Sequence, residues 1–268
     1  MYLILIKINL QNEFEKKMEN KIVRLEAKNI TKSFYIDVLR EKNALQGFIK
    51  IFNKKTEKKK LEVIKNLSIT ANSNEVIGII GKNGSGKSTL LRILAEVYKP
   101  DSGCVKTNGR AVYMAGFSHG LNPKLTMREN IHLMGSILGL SQSAIKQKFN
   151  QIVEFSELGS FVDTPIYKFS DGMIVRLGFS VTIHCLNHNY PEIMLLDEVL
   201  EAGGDKGFID KAMDKMEELM RAGATVIIAS HNMENIKKYC DKVILMDNGE
   251  IVMIGKPKEV IEKYLGNV

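Results

Sequence analysis

Nine residues constrain this chain more than any others: Gly81-Lys82-Asn83-Gly84-Ser85-Gly86-Lys87-Ser88-Thr89, set directly between an apolar run at 76–80 and a helical pattern. The run Val-Ile-Gly-Ile-Ile has the length of a strand and no polar alternation, so both of its faces should be covered. After the loop, Leu90, Leu91, Ile93, Leu94 and Val97 recur at helical spacing and stop at Pro100. Two glycines separated by four residues and followed by Lys and Ser, in a strand-to-helix turn, form a loop that cradles phosphate. Gly81, Gly84 and Gly86 let successive N–H groups point at phosphate oxygens, and the helix beyond adds its positive end. Lys87 brings a mobile charge to the β and γ phosphates, and the Ser88 hydroxyl is suited to ligate Mg2+. Asn83, Ser85 and Thr89 complete the candidate nucleotide contacts. A glycine-rich turn with an incidental lysine needs neither the strand before it nor the helix after it.

The remaining elements fall into the order that such a loop requires. Short strands are expected at 22–27 and 61–69, and buried ones at 193–196 and 225–229, with a long helical pattern at 207–221 between the last two. This βαβ alternation predicts a mostly parallel sheet with helices on its faces. Residues 126–186 hold no strand pattern and read as an all-helical insertion, with Ser141 as an N-cap and Asp163-Thr164-Pro165 as an interruption. Asp101-Ser102-Gly103 reads as a turn. Runs at 243–246 and 251–254 flank Asp247-Asn248-Gly249-Glu250 as a hairpin, and a last helix starts near Pro257.

At the C-terminal edge of such a sheet, where ligands of open α/β folds collect, three more polar residues come next to buried strands. Asp197 closes Ile-Met-Leu-Leu-Asp and offers the carboxylate that a cation held by Ser88 needs. Glu198, one residue further, can orient and polarise the water that attacks the γ-phosphorus. His231 follows the strand Thr-Val-Ile-Ile-Ala and is the candidate γ-phosphate contact. His184 and His188 stand four apart around Cys185, but no third ligand accompanies them at usable spacing, so packing or surface roles are preferred.

Composition narrows the setting. With 44% hydrophobic and 26% charged residues the chain is of ordinary globular make-up, and no stretch reaches the ~20 apolar residues that cross a bilayer. The apolar opening Met1 to Ile6 lacks the basic residues and cleavage site of a leader, so a cytoplasmic location is expected. Residues 1–17 read either as a short extra strand or as an upstream start in place of Met18. Cys104, Cys185 and Cys240 are odd in number and widely spaced, which fits reduced thiols. The net charge of +7 suits an anionic partner, but much of it is local, in Lys54, Lys55, Lys58, Lys59 and Lys60, which read as a solvated loop.

From about Lys21 to the end these pieces resemble the ABC ATPase family. The deciding addition is Phe169-Ser170-Asp171-Gly172-Met173, similar to the family's signature and placed upstream of Asp197 as in the family. The resemblance implies a phosphate-loop NTPase fold, α/β and RecA-like: a mostly parallel sheet core, an antiparallel β-subdomain and an inserted α-helical subdomain at about 121–186. Residues 1–20 would form an N-terminal extension and 21–268 the ATPase domain. It further implies ATP and Mg2+ as cofactors and a head-to-tail homodimer in which Ser170 and Gly172 of one subunit cap the ATP held by the other. A helix following them at 174–181 would lend its N-terminus. Ala202-Gly203-Gly204-Asp205 would touch the opposite subunit, and Phe34 or Tyr35 would stack on adenine.

Two departures from the family pattern stand out. Around Phe117 and Ser118 no Gln is present where the family senses metal and membrane partner, and Asp171 replaces a signature glycine. These departures, with Gly-Met-Ile-Val-Arg-Leu-Gly-Phe-Ser from Gly172, are similar to the nucleotide-binding subunits of bacterial exporters of O-antigen, capsule or teichoic acid. That resemblance implies a peripheral protein on the cytoplasmic face of the membrane, two copies of an integral membrane permease as partner, contact with a lipid-linked polymer, and no nucleic acid. The competing readings are an ATPase of another transporter, for lipid export or solute import, and a soluble ABC ATPase acting on nucleic acid or the ribosome. DNA-repair members carry a coiled-coil insertion and translation-factor members two cassettes, and neither occurs in these 268 residues. Ile36, Leu39, Leu45, Phe48, Ile49 and Phe52 read as the stripe of an amphipathic helix, either packed on its own domain or guiding polymer beside the membrane subunit.

Overall fold

In the computed structural model, residues 22–37, 58–116, 120–186, 191–199, 206–221 and 223–266 are described. The chain runs through β1 (Val23–Asp37), β2 (Lys58–Asn72), β3 (Val76–Ile80), α1 (Lys87–Leu94), β4 (Ser102–Thr107) and β5 (Ala111–Ala115). Three helices follow, α2 (Met127–Ile137), α3 (Gln142–Ser156) and α4 (Asp171–Leu186), with two single turns of 3-10 helix between α3 and α4. The remainder is β6 (Ile193–Asp197), α5 (Lys206–Arg221), β7 (Thr225–Ala229), α6 (Met233–Tyr239), β8 (Lys242–Asp247), β9 (Glu250–Gly255) and α7 (Pro257–Leu265).

Two sheets result. One has the order β5-β6-β7-β3-β8-β9, parallel from β5 to β8 and closed by antiparallel β9; the other is the antiparallel β2-β1-β4. Alternation within the apolar runs explains why they are continuous. In β6, Met194 and Leu196 join a core with Phe179 and Ile183 of α4 and Phe208 of α5, while Ile193 and Leu195 face a second core with Leu91 and Leu94 of α1 and with Leu67 and Ile69 of β2. β7 divides the same way, Val226 and Ile228 against Ile227 and Ala229. A strand covered on both faces has no polar side to alternate to, and each buried Val, Leu or Ile contributes about 1.5–3 kcal/mol.

The helices α2 to α4 enclose a third core of Met127, Ile131, Ile145, Ile152, Leu177 and Val181. Thr126 opens α2 with a capping box: its hydroxyl accepts from the Glu129 N–H at 3.2 Å, and Glu129 accepts from the Thr126 N–H at 2.8 Å. Ser141 caps α3 as expected, accepting from the Ala144 N–H at 3.3 Å. Helix α4 is apolar around most of its circumference because it serves two cores, Leu177, Val181 and Cys185 in the helical one and Phe179, Ile183 and Leu186 in that of the sheet.

Several expectations need correction. The first strand does not stop at Ala27 but runs to Asp37, and the second starts at Lys58 rather than Leu61. Lys58, Lys59 and Lys60 are therefore strand, not loop; the ladder Ile36↔Lys59 and Tyr35↔Lys60 is made by backbone groups, and the lysine side chains stay exposed. Ile36 belongs to this strand and not to a helix, and residues 38–57, with the rest of the expected amphipathic helix, lie outside the described residues. Of the expected Asp101-Ser102-Gly103 turn, Ser102 and Gly103 already belong to β4, and β5 follows, two strands without a prior expectation. Helix α4 begins at Asp171 and ends at Leu186, longer at both ends than 174–181.

Candidate nucleotide and metal site

Close packing sets the course of the loop between β3 and α1. At Gly81 an added Cβ would lie 2.2 Å from the Met246 carbonyl oxygen of β8, and at Gly86 2.9 Å from that of Val63; both glycines have positive φ, so no other residue fits there without strain. The loop is tied down by Gly249 N–H, which donates to the Ser85 carbonyl at 3.0 Å. Asn83 and Gly84 form its exposed crest, whereas Thr89 is half-buried in the first turn of α1. Ser85 Oγ is buried with no hydrogen-bond partner among the described residues. Lys87, 6% exposed, is the first helical residue, and its ammonium donates to the loop's own carbonyls at Gly81 (2.8 Å) and Lys82 (3.1 Å). A cradle lined by an orphaned hydroxyl and an ammonium fits a phosphate oxyanion.

At the sheet edge the Ser88 hydroxyl donates to Asp197 Oδ1 at 3.0 Å, and Asp197 is 6% exposed. These are hard oxygen donors of the kind Mg2+ takes, one hydroxyl and one carboxylate. Asp197 Oδ2 accepts from the Tyr113 hydroxyl at 3.0 Å, and Arg92 Nε donates to the same phenol oxygen at 3.2 Å. Burial, and after it the Asp197 charge, push the phenol above its ordinary 10 against the opposing pull of Arg92. Tyr113 and Arg92 were missed by sequence reasoning; the signal for them was a lone Tyr in the short apolar run Ala-Val-Tyr-Met-Ala, which needed strand β5 to be recognised first.

Glu198 leaves the sheet at φ 55°, a left-handed conformation that costs a non-glycine residue about 1–3 kcal/mol and is concentrated at functional sites. Its N–H donates to the Ala229 carbonyl at 2.9 Å, and its side chain, 52% exposed, stands with Oε1 3.4 Å from His231 Nε2. The expected trio of Asp197, Glu198 and His231 is thus gathered at the ends of neighbouring strands β6 and β7. The aromatic pair lies on β1: Phe34 meets Tyr98 edge-on with ring centroids 5.7 Å apart, while Tyr35 is 68% exposed. Ser170 and Gly172 sit at the N-terminus of α4, where the Met173 N–H donates to Ser170 Oγ at 3.3 Å, and no hydrogen bond joins Ser170 to the phosphate loop among the described residues. His184 packs edge-on against Phe155, and its Nδ1 lies 2.8 Å from the Ser180 carbonyl oxygen. Phe117, Ser118, His188 and the stretch 202–205 lie outside the described residues.

A glycine-lined loop feeding a helix, with serine and aspartate joined across the C-terminal edge of a parallel sheet, defines a phosphate-loop nucleoside triphosphatase. Within that class this chain belongs to the ABC transporter family, whose model matches residues 64–201. It is 40% identical over 206 residues to the O-antigen export system ATP-binding protein RfbB of Klebsiella pneumoniae, covering 77% of this chain and 82% of the relative. It is 39% identical over 248 residues to the teichoic acids export ATP-binding protein TagH of Lactococcus lactis, covering 92% of this chain but about half, 52%, of that relative's length. Among solved structures, an ATP-binding subunit of an ABC transporter shares the fold at a TM-score of 0.67 and 19% identity, covering 90% of this chain and 93% of the other. The chain is accordingly an ABC-type ATPase with the mixed-sheet and helical-layer fold its sequence leads one to expect.

Proposed function

We propose that this chain is the ATP-hydrolysing subunit of a bacterial exporter that moves a cell-surface polysaccharide or teichoic acid across the cytoplasmic membrane. The observation that carries the reading is the convergence of Lys87, the Ser88–Asp197 pair and the Glu198–His231 pair on one edge of the sheet, in a chain whose relatives are named for O-antigen and teichoic acid export. The loop 81–89 holds the phosphates, with Lys87 neutralising their charge. Ser88 and Asp197 hold Mg2+, which when bound offsets charge on the phosphate oxygens. Glu198 orients the attacking water and accepts its proton; His231, 3.4 Å away, holds that carboxylate and the γ-phosphate side of the site.

The aromatic pair Phe34-Tyr35 supplies the adenine contact. Ser170 and Gly172, on a different layer from the loop, act on the ATP of a second copy, so two chains complete two sites. The working assembly is this homodimer on the cytoplasmic face beneath two permease subunits, with the lipid-linked polymer passing between them and no nucleic acid involved. No helix among the described residues is long and apolar enough to cross a membrane, so the path through the bilayer is assigned to the permease.

The test uses Glu198→Gln. In the purified protein turnover should fall roughly 10²- to 10⁴-fold with ATP affinity unchanged, because only the water-orienting carboxylate is altered. In a strain lacking this chain, surface polymer should return with the unaltered chain and not with Glu198→Gln. Equal loss of ATP binding contradicts the assigned role, and surface polymer that is indifferent to the chain contradicts the cargo.

A further inference from the structure

The two oxygens of the Asp197 carboxylate are held separately, and both holds trace back to one helix face. Oδ1 accepts from Ser88 at 3.0 Å; Oδ2 accepts from Tyr113 at 3.0 Å, and Tyr113 in turn accepts from Arg92 at 3.2 Å. Ser88 and Arg92 are four residues apart in α1 and so lie one turn apart on the same side. One turn of α1 therefore grips the carboxylate from both ends, directly through Ser88 and through the phenol by way of Arg92. Tyr113 reaches Asp197 from β5, the strand paired in parallel with β6, where Tyr113 stands opposite Leu195 and Ala115 opposite Asp197. Because Arg92 donates to the phenol oxygen, the phenol's own proton is directed to Asp197.

We propose that Tyr113 is a positioning residue of the phosphate site: with Arg92 it fixes the rotamer of Asp197 that keeps Oδ1 on the Ser88 hydroxyl and leaves the serine oxygen to accept a divalent cation. The inference rests on the reading of Ser88 and Asp197 as the metal side of the site. Remove the phenol oxygen and Oδ2, inside a buried edge, loses its donor; the carboxylate then turns toward the Arg92 guanidinium from which the phenol now separates it, and Oδ1 leaves Ser88. A partner of a ligating carboxylate typically governs metal affinity by about 10- to 100-fold.

Tyr113→Phe keeps the ring and removes only the oxygen. On the full chain, Mn2+ affinity is measured by electron paramagnetic resonance with saturating ADP, and the affinity of a fluorescent ATP analogue is measured in EDTA. Mn2+ binding should weaken about tenfold while metal-free nucleotide binding stays within about twofold. Unchanged Mn2+ affinity, or equal weakening in both assays as from a general loss of fold, overturns the proposal. Arg92→Met should weaken Mn2+ binding in the unaltered chain and add nothing in the Tyr113→Phe background, since it acts through the phenol; additive losses overturn the relay. Asp197→Asn separates the two levels. If it leaves Mn2+ affinity unchanged, the metal-side reading itself fails; if it weakens Mn2+ binding and Tyr113→Phe does not, the positioning role alone fails.

Discussion

Asn130 in α2 is the most heavily used buried polar side chain of the helical layer, and replacing it by Ala should cost about 2–4 kcal/mol. It is 0% exposed. Its Oδ1 accepts from the Asn122 N–H at 2.7 Å, and its Nδ2 donates to the carbonyls of Asn122 (3.1 Å), Leu125 (3.1 Å) and Thr126 (2.9 Å). Four neutral hydrogen bonds at about 1 kcal/mol each set the upper end. Asn122 is exposed, so water re-satisfies part of what is lost and sets the lower end. The assay is urea unfolding followed by circular dichroism, reading the midpoint at constant slope. Asn130→Asp is the companion variant. It keeps the acceptor for Asn122 but turns a carboxylate oxygen against three carbonyls, so near neutral pH it should be at least as damaging as Ala. Its folded-state pKa must be raised by that surrounding, so its deficit relative to the unaltered chain should shrink as the pH falls and the carboxyl binds its proton. A loss below about 1 kcal/mol for Ala, or an Asp variant as stable as the original at neutral pH, would refute this account of the loop.

Lys87→Ala should weaken ATP binding itself by roughly 10- to 100-fold, the effect of about 1.5–3 kcal/mol for a hydrogen bond to a charged group, and calorimetric titration showing undiminished affinity would contradict its place in the cradle. Glu75 supplies a pH dependence. Burial alone would raise its pKa, yet the Lys242 ammonium at 2.8 Å and two bonds from Asn72 outweigh that and hold it below its ordinary 4.5. A depressed carboxylate stabilises the fold above its unfolded value and loses that contribution as the pH falls through the folded one, so stability should decline below 4.5 and the decline should be shallower in Glu75→Gln. Identical acid profiles for the two proteins would show that Glu75 plays no part.

What the sequence made legible was what burial and loop chemistry enforce together. The runs at 76–80 and 225–229 coincide residue for residue with β3 and β7 because both faces are covered, and the hairpin turn at Asn248-Gly249 shows itself by two residues that tolerate positive φ. The positions of the phosphate loop, Asp197, Glu198 and His231 were readable because each closes or follows a strand whose end is marked by the loss of apolar character. The strands β4 and β5 were not. Ser102–Thr107 lies at the edge of its sheet, mostly exposed, and therefore carries no apolar pattern at all. The lysines at 58–60 were misread because a backbone ladder needs no particular side chain, and charge on an exposed strand is indistinguishable in sequence from charge on a loop. Tyr113 escaped for a third reason: its place beside Asp197 comes from register, from β5 standing beside β6, and register is a property of two segments far apart in the chain, here Tyr113 opposite Leu195, 195 − 113 = 82 residues on.

Helix α4 gives the molecule a mechanical property. Its 16 residues make a rod of about 24 Å, with Ser170 and Gly172 at one tip and Phe179, Ile183 and Leu186 clamped among the side chains beneath the sheet. Leu177, Val181 and Cys185, on the rod's other side, are bolted to the helical layer, so that layer cannot tilt without taking the rod along. A swing of about 10° about Phe179, where the clamp begins, carries the tip roughly 2 Å, enough to break a hydrogen bond. Whatever pulls on the tip is thus geared down into small displacements of the side chains packed under β6, the strand that ends in Asp197, and a subtle shift of that packing is geared up into gain or loss of a whole contact at Ser170.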